Sequence, residues 1–254
     1  MKLDKKIITL LVEEDLKINY NYNYSFMKEL YKLMSSIDSK RTKDIHENGF
    51  KIDNKIYKLF NFQIYFEGAN YNNENIEVKK NSLIKLNISG VTSVLNLIFK
   101  GILKNGGIEI DGHKFKINNV EDDKKIKFNK IMLYKVRSPI VESIYNSEMK
   151  KAEFLNPYDE RYYNALGKNL LRKHKIIYGK EYTGDLFFEI EDFIKIKKKF
   201  IKDINKNGFV MGFTDFEIYI EADPEMQKIA YMIGLGQNNS IGMGNISYIC
   251  GRRE

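Results

Sequence analysis

A chain of 254 residues is long enough for one large domain or two small ones, and 43% hydrophobic residues suffice to bury a core. A net charge of +8 and a pI near 9.1 favour anionic partners, nucleic acid among them. One cysteine, Cys250, and three scattered histidines, His46, His113 and His174, argue against an internal disulfide or a metal centre.

No run reaches the roughly 18 apolar residues that span a bilayer, and the N-terminal residues lack a signal-peptide cleavage region. A soluble, cytoplasmic protein without membrane, metal or cofactor is the expectation. Residues 6–12 read as a first strand. A helix over 25–37 follows, with Phe26, Leu30, Leu33 and Ile37 on one face. Residues 38–48 read as a polar loop, and 50–52 and 57–66 as strand pieces. Another strand is expected over 77–88 and a helix over 91–103, stopped by Gly106 and Gly107. A hairpin over 107–118 turns at Asp111-Gly112.

The acidic and polar stretch 118–125 is the best domain boundary, and the pattern then restarts. Residues 126–136 read as a strand, and Asn156-Pro157 and Asp159 precede a helix that runs to about Lys173. Strands are expected over 183–190, 193–200 and 208–221, the last as a pair or as one long strand. Pro224 at a first helical position starts a helix that Gly234 ends, and 245–249 is the last strand. Each half thus reads β-α-β-β-α-β, the split βαβ unit. The expectation is an α+β protein of two tandem ferredoxin-like (RRM-like) βαββαβ domains, 1–122 and 123–254.

Between the last helix and strand lies GLGQNNSIGMG, with Gly234, Gly236, Gly242 and Gly244. It reads either as a loop whose backbone approaches phosphate or as a long helix-to-strand turn. It has neither the Gly-Lys-Ser/Thr of a Walker loop nor the strand-to-helix setting of a dinucleotide fingerprint. Basic clusters stand at 168–175, 195–199 and 252–253. On a strand, Lys195, Lys197 and Lys199 share one face, opposite Ile194, Ile196 and Phe200. Such a row suits a phosphate backbone, or equally a solvated face or a blunted sheet edge.

Several stretches, in order along nearly the whole chain, resemble one family. GLGQNNSIGMGN is similar to the hallmark glycine-rich loop of the RAMP superfamily. DIHENGFKIDNKIYKLFNF, residues 44–62, resembles a His-containing loop followed by a Phe-x-Phe strand, here Phe60 and Phe62. VRSPIV, 136–141, resembles the segment that opens the second half, and FLNPYDERYYNALGKNLLRKH, 154–174, the helix after it. Together they resemble the CRISPR-associated endoribonucleases that cut repeat RNA, of the Cas-six type.

The resemblance implies cleavage of precursor CRISPR RNA within its repeats, without a metal, by attack of a 2′-hydroxyl on the adjacent phosphate. The products would carry a 2′,3′-cyclic phosphate and a 5′-hydroxyl. It also implies His46 as general acid or base, since an imidazole titrates near working pH. Tyr31 matches a helix tyrosine that would orient a reacting group. Lys51, or Lys55 in its place, would stabilise charge on the phosphate. RNA contacts are expected from Lys168, Arg172, Lys173, Lys175, Lys195, Lys197, Lys199 and the four loop glycines. His113 is expected to be exposed and inert; His174 would either favour its helix dipole or touch RNA. Besides the RNA, effector-complex subunits and a second copy of the chain are candidate partners. The alternative reading is a non-catalytic RNA-binding subunit of an effector complex, because one fold serves both.

Overall fold

The structure is a computed structural model and describes residues 1–148, 150–190, 197–203 and 208–251. The first half runs β1 (Leu3–Leu11), β2 (Leu16–Asn19), α1 (Tyr22–Ser35), α2 (Ser39–Glu47), β3 (Phe50–Ile52), β4 (Lys55–Tyr57), β5 (Phe60–Phe66), β6 (Asn70–Tyr71), β7 (Asn75–Val78), β8 (Leu83–Val91), α3 (Thr92–Asn105), β9 (Ile108–Ile110) and β10 (His113–Asp122). Its main sheet is ordered β5-β8-β1-β10-β9, with β1 antiparallel to both β8 and β10. Without the hairpin strand β9, this is the strand order of a ferredoxin-like unit. Alternation along β5 buries Phe60, Phe62, Ile64 and Phe66 on the face that α1 and α3 cover.

The second half runs β11 (Ile131–Val136), β12 (Ser143–Asn146), β13 (Lys151–Phe154), α4 (Glu160–Tyr178), β14 (Phe187–Ile190), β15 (Lys197–Asp203), β16 (Gly208–Thr214), β17 (Glu217–Glu221), α5 (Pro224–Ile233) and β18 (Ile246–Gly251). Its sheet, ordered β14-β17-β11-β18, repeats the same topology. The protein is therefore α+β with two ferredoxin-like units in tandem, as its alternating pattern suggested.

Three local expectations need correction, and one open alternative is decided. Residues 38–48 are not a loop: Asp38 accepts from the Arg41 N–H at 2.9 Å and so caps α2, which buries only Thr42 and Ile45. Residues 77–88 are two strands in different sheets, parted by a turn with Asn81 at φ +67°. Of the two readings of 208–221, two strands is the one found: the stretch divides at Asp215, φ +67°, between a hairpin with β15 and the main second sheet. Helix α4 continues past Lys173 to Tyr178, where Gly179 caps it at φ +72°.

The halves meet in one continuous core. Helix α5 packs on β1, β5 and β8. Lys5 donates to the Tyr231 hydroxyl at 2.7 Å, and that hydroxyl donates to Asp123 at 2.6 Å. The glycine-rich segment lies against α1 and β5, where side-chain amides stitch it down. Asn23 donates to the Ile241 carbonyl at 2.9 Å, Asn61 to that of Met243 at 3.0 Å, and Asn245 to that of Phe62 at 2.7 Å.

Candidate active site and nucleic-acid cleft

A cleft of about 710 Å³ opens between the halves. One wall is the β4–β5 connection with Lys55, Lys58 and Phe60. The opposite wall is α4, whose Arg161, Asn164, Lys168 and Arg172 fall at helical spacing on one face. The glycine-rich segment and the root of the β12–β13 hairpin form the floor.

Next to the β5 wall, α1 and α2 bring Tyr31 and His46 together. Their rings meet edge to face, with centroids 4.9 Å apart and planes at 88°. Phe60 backs the pair at 5.9 Å from Tyr31. His46 is exposed in the last turn of α2. Burial holds the Tyr31 hydroxyl well above its ordinary value, so it stays protonated at neutral pH. Lys58, absent from the residues that the sequence picks out, is bonded at the backbone of this pair. Its ammonium donates to the Ile45 carbonyl at 2.9 Å and to that of His46, closing the end of α2. Burial lowers its proton affinity. Lys51 is exposed on β3, opposite Ile56, and forms no hydrogen bond with His46 among the described residues. Lys55, at the far end of that hairpin, lines the cleft.

The expected RNA contacts separate. Lys168 is exposed on the cleft wall with no hydrogen-bond or ion-pair partner among the described residues. Arg172 also faces the cleft, held by Asp53 at 3.1 Å. Lys175 points elsewhere and pairs with Glu181. Lys197 and Lys199 sit in β15, opposite Thr214 and Gly212 of β16; Lys195 and the arginines at 252–253 lie outside the described residues.

Lys173 is a correction. It is 0% exposed, and its ammonium donates to the carbonyls of Gly234 and Gly236 at 2.8 and 2.9 Å. It holds the glycine-rich segment from beneath and has no surface to offer RNA. Glu142, 2% exposed and accepting from Gln237 at 3.0 Å, lies in the same buried polar layer. Burial pushes the Glu142 carboxyl up and the Lys173 ammonium down, each opposed by the other's charge.

The four glycines are a second correction. All are buried, and protein atoms fill the space where each would carry a Cβ. At Gly244, φ +71°, an added Cβ would lie 1.8 Å from the Leu235 carbonyl oxygen. At Gly236, φ +65°, it would meet that of Val141 at 2.5 Å. The glycines permit a tight internal turn; only Gly236 of the four lines the cleft. His174 is 1% exposed, its Nδ1 3.2 Å from the Lys180 carbonyl and its ring against Tyr178 and Tyr182, so it neither ends the helix nor reaches RNA. His113 is half-buried at the start of β10.

Residues 120–248 match the family model of the CRISPR-associated protein Cas6, C-terminal. The chain belongs to the Cas6 family. It is 25% identical over 248 residues to the CRISPR-associated endoribonuclease Cas6 1 of Methanocaldococcus jannaschii, covering 90% of this chain and 86% of that protein. A solved Cas6-related protein from Pyrococcus furiosus superposes with a TM-score of 0.81 at 20% identity, over 98% of this chain and 99% of that one. A structure described as CRISPR associated protein Cas6 gives 0.79 at 21%, over 98% and 100%. These superpositions carry the fold. Among the described residues, no group of three or more His, Cys, Asp or Glu could hold a metal ion, and no helix is long and apolar enough to cross a membrane.

Proposed function

We propose that the protein is an endoribonuclease that cleaves precursor CRISPR RNA within its repeats. The observation that carries the reading is the pairing of exposed His46 with Tyr31 beside a basic cleft, in a chain of the Cas6 family. A 2′-oxygen attacks the adjacent phosphorus, and the bond from phosphorus to the 5′-oxygen breaks. The proton of the 2′-hydroxyl leaves to a base, and the departing 5′-oxygen takes one from an acid. The products are a 2′,3′-cyclic phosphate and a 5′-hydroxyl, with no metal required. His46 moves one of these protons, a contribution of roughly 10²- to 10⁴-fold. Tyr31, kept protonated by burial, orients His46 or the 2′-hydroxyl as a donor. Lys51 is assigned the developing phosphate charge. Lys55, Lys168 and Arg172 hold the RNA backbone along the cleft.

The test is labelled repeat RNA incubated with the protein in excess EDTA, beside His46→Ala. A single cut with a cyclic end, lost in His46→Ala, is the expected result. Lys51→Ala and Lys55→Ala in the same assay decide which hairpin lysine acts on the phosphate. Tight binding without cutting, by wild type and variant alike, would overturn the reading and leave an RNA-binding subunit.

A further inference from the structure

Tyr145 is an aromatic group on the cleft lining that the fold, the core and the proposed chemistry leave unused. Its side chain is 71% exposed, yet it stands on the lining of a concave cleft. Its cross-strand neighbour in the β12–β13 hairpin is Ala152, whose single methyl leaves the ring faces uncovered. Among the described residues no other ring stacks on it and no group bonds its hydroxyl.

The strand beneath it is fixed at three points. Gln237 of the glycine-rich segment donates to the Ser143 carbonyl at 3.0 Å and accepts from the Ser143 hydroxyl at 3.0 Å. Arg161 of α4 pairs with Glu153 of β13 at 2.7 Å. Leu155, just after β13, donates from its backbone to the Glu142 carbonyl at 2.9 Å. The hairpin is therefore bolted to both the floor and the wall of the cleft, and the ring projects from a braced root. Lys168 and Lys55 line the same cleft and form no ion pair among the described residues.

An open aromatic face in a cleft lined by cations is the arrangement that binds single-stranded nucleic acid: bases stack while cations follow the backbone. A duplex offers no such face, because its bases are already stacked on one another.

We infer that Tyr145 is a stacking platform that seats an unpaired nucleobase of the RNA in this cleft, so that the protein must engage its substrate with at least one base out of a helix. This rests on the proposal that the cleft takes RNA, and it adds the conformation of that RNA at a named residue.

The chain has no tryptophan, so Tyr145→Trp places its one indole at the proposed contact, excited selectively beyond the absorption of the tyrosines. The probe is CRISPR repeat RNA with 2′-fluoro sugars, which block attack by its own 2′-oxygens, tested unpaired and annealed to its full complement. Unpaired RNA is expected to quench the Tyr145→Trp emission, and annealed RNA to leave it unchanged. By anisotropy, Tyr145→Ala is expected to weaken binding of the unpaired RNA about tenfold, and Tyr145→Phe to bind within about twofold of wild type. Equal loss for both RNA forms, unchanged emission at saturation, or wild-type affinity of Tyr145→Ala would each overturn the inference. If wild type binds repeat RNA and cuts its unmodified form while Tyr145→Ala binds normally, only this inference falls. If wild type binds neither RNA form, the proposed function falls with it.

Discussion

Replacing Gly244 with alanine tests whether the glycine-rich segment is an internal seam. The new methyl group would sit 1.8 Å from the Leu235 carbonyl oxygen and 2.9 Å from the Asn239 amide nitrogen. The backbone at φ +71° disfavours any Cβ, at about 1–2 kcal/mol. Pushing apart close-packed groups adds about 1–3 kcal/mol. Leu235 also donates to the Gly244 carbonyl at 2.9 Å, and losing that bond removes about 1 kcal/mol. Together these give about 3–6 kcal/mol, a large share of the 5–15 kcal/mol of a typical domain. Gly68→Ala is the control: its φ is +66°, but nothing lies within 4 Å of an added Cβ. It should cost only the conformational part, about 1–2 kcal/mol. Urea unfolding followed by far-ultraviolet circular dichroism measures both. If Gly244→Ala costs no more than Gly68→Ala, the segment opens freely and the seam reasoning is wrong.

Tyr31→Phe keeps the ring against His46 and removes the hydroxyl; single-turnover cleavage should slow about tenfold, whereas an unchanged rate would leave Tyr31 a packing residue. Lys168→Ala should weaken RNA binding and reduce the slope of log affinity against log salt by about one, while Lys175→Ala, already paired with Glu181, should leave the slope unchanged. Lys173→Met should act on stability instead, costing about 1–3 kcal/mol because the Gly234 and Gly236 carbonyls lose their buried donor. Burial raises the Glu142 carboxyl above its usual 4.5, so the native state binds more protons than the unfolded chain as pH rises from 4.5 to about 7, and stability falls across that window. Glu142→Gln removes the titration; urea midpoints across that window should then decline less, and an unaltered pH profile would show that Glu142 is not the group responsible.

The tandem architecture was legible because each half carries its own punctuation: Asp111-Gly112 turns a hairpin, with both residues at positive φ, and Pro224 opens a helix that Gly234 closes. Helix α2 was hidden because it buries only Thr42 and Ile45, too little for a periodic signal. The glycines were read for freedom of the backbone, which is present, but sequence does not say what occupies the space beside a missing Cβ. Here it is the protein's own carbonyl oxygens. Basic residues were read as a run along α4, yet a helix sorts a run by face. Lys168 and Arg172 reach the cleft with Arg161 and Asn164, while Lys173 turns inward. Spacing at i, i+3, i+7 and i+11 from Arg161 was the available signal for that stripe. Nothing local marked Glu142 or the root of the β12–β13 hairpin, because their setting comes from Gln237 far along the chain.

Three amides that fasten the glycine-rich segment, from Asn23, Asn61 and Asn245, carry no charge, and the Lys173 ammonium beneath it is fully buried from solvent ions. The surface assigned to RNA is made of cations. Ionic strength therefore acts on one and not on the other: counterions compete for the phosphate backbone but have no purchase on a neutral amide bonded to a carbonyl. Rising salt should release a bound nucleic acid from a body whose two halves stay locked. Cargo and chassis thus answer to different variables, so a salt wash that strips RNA returns the protein ready to bind again.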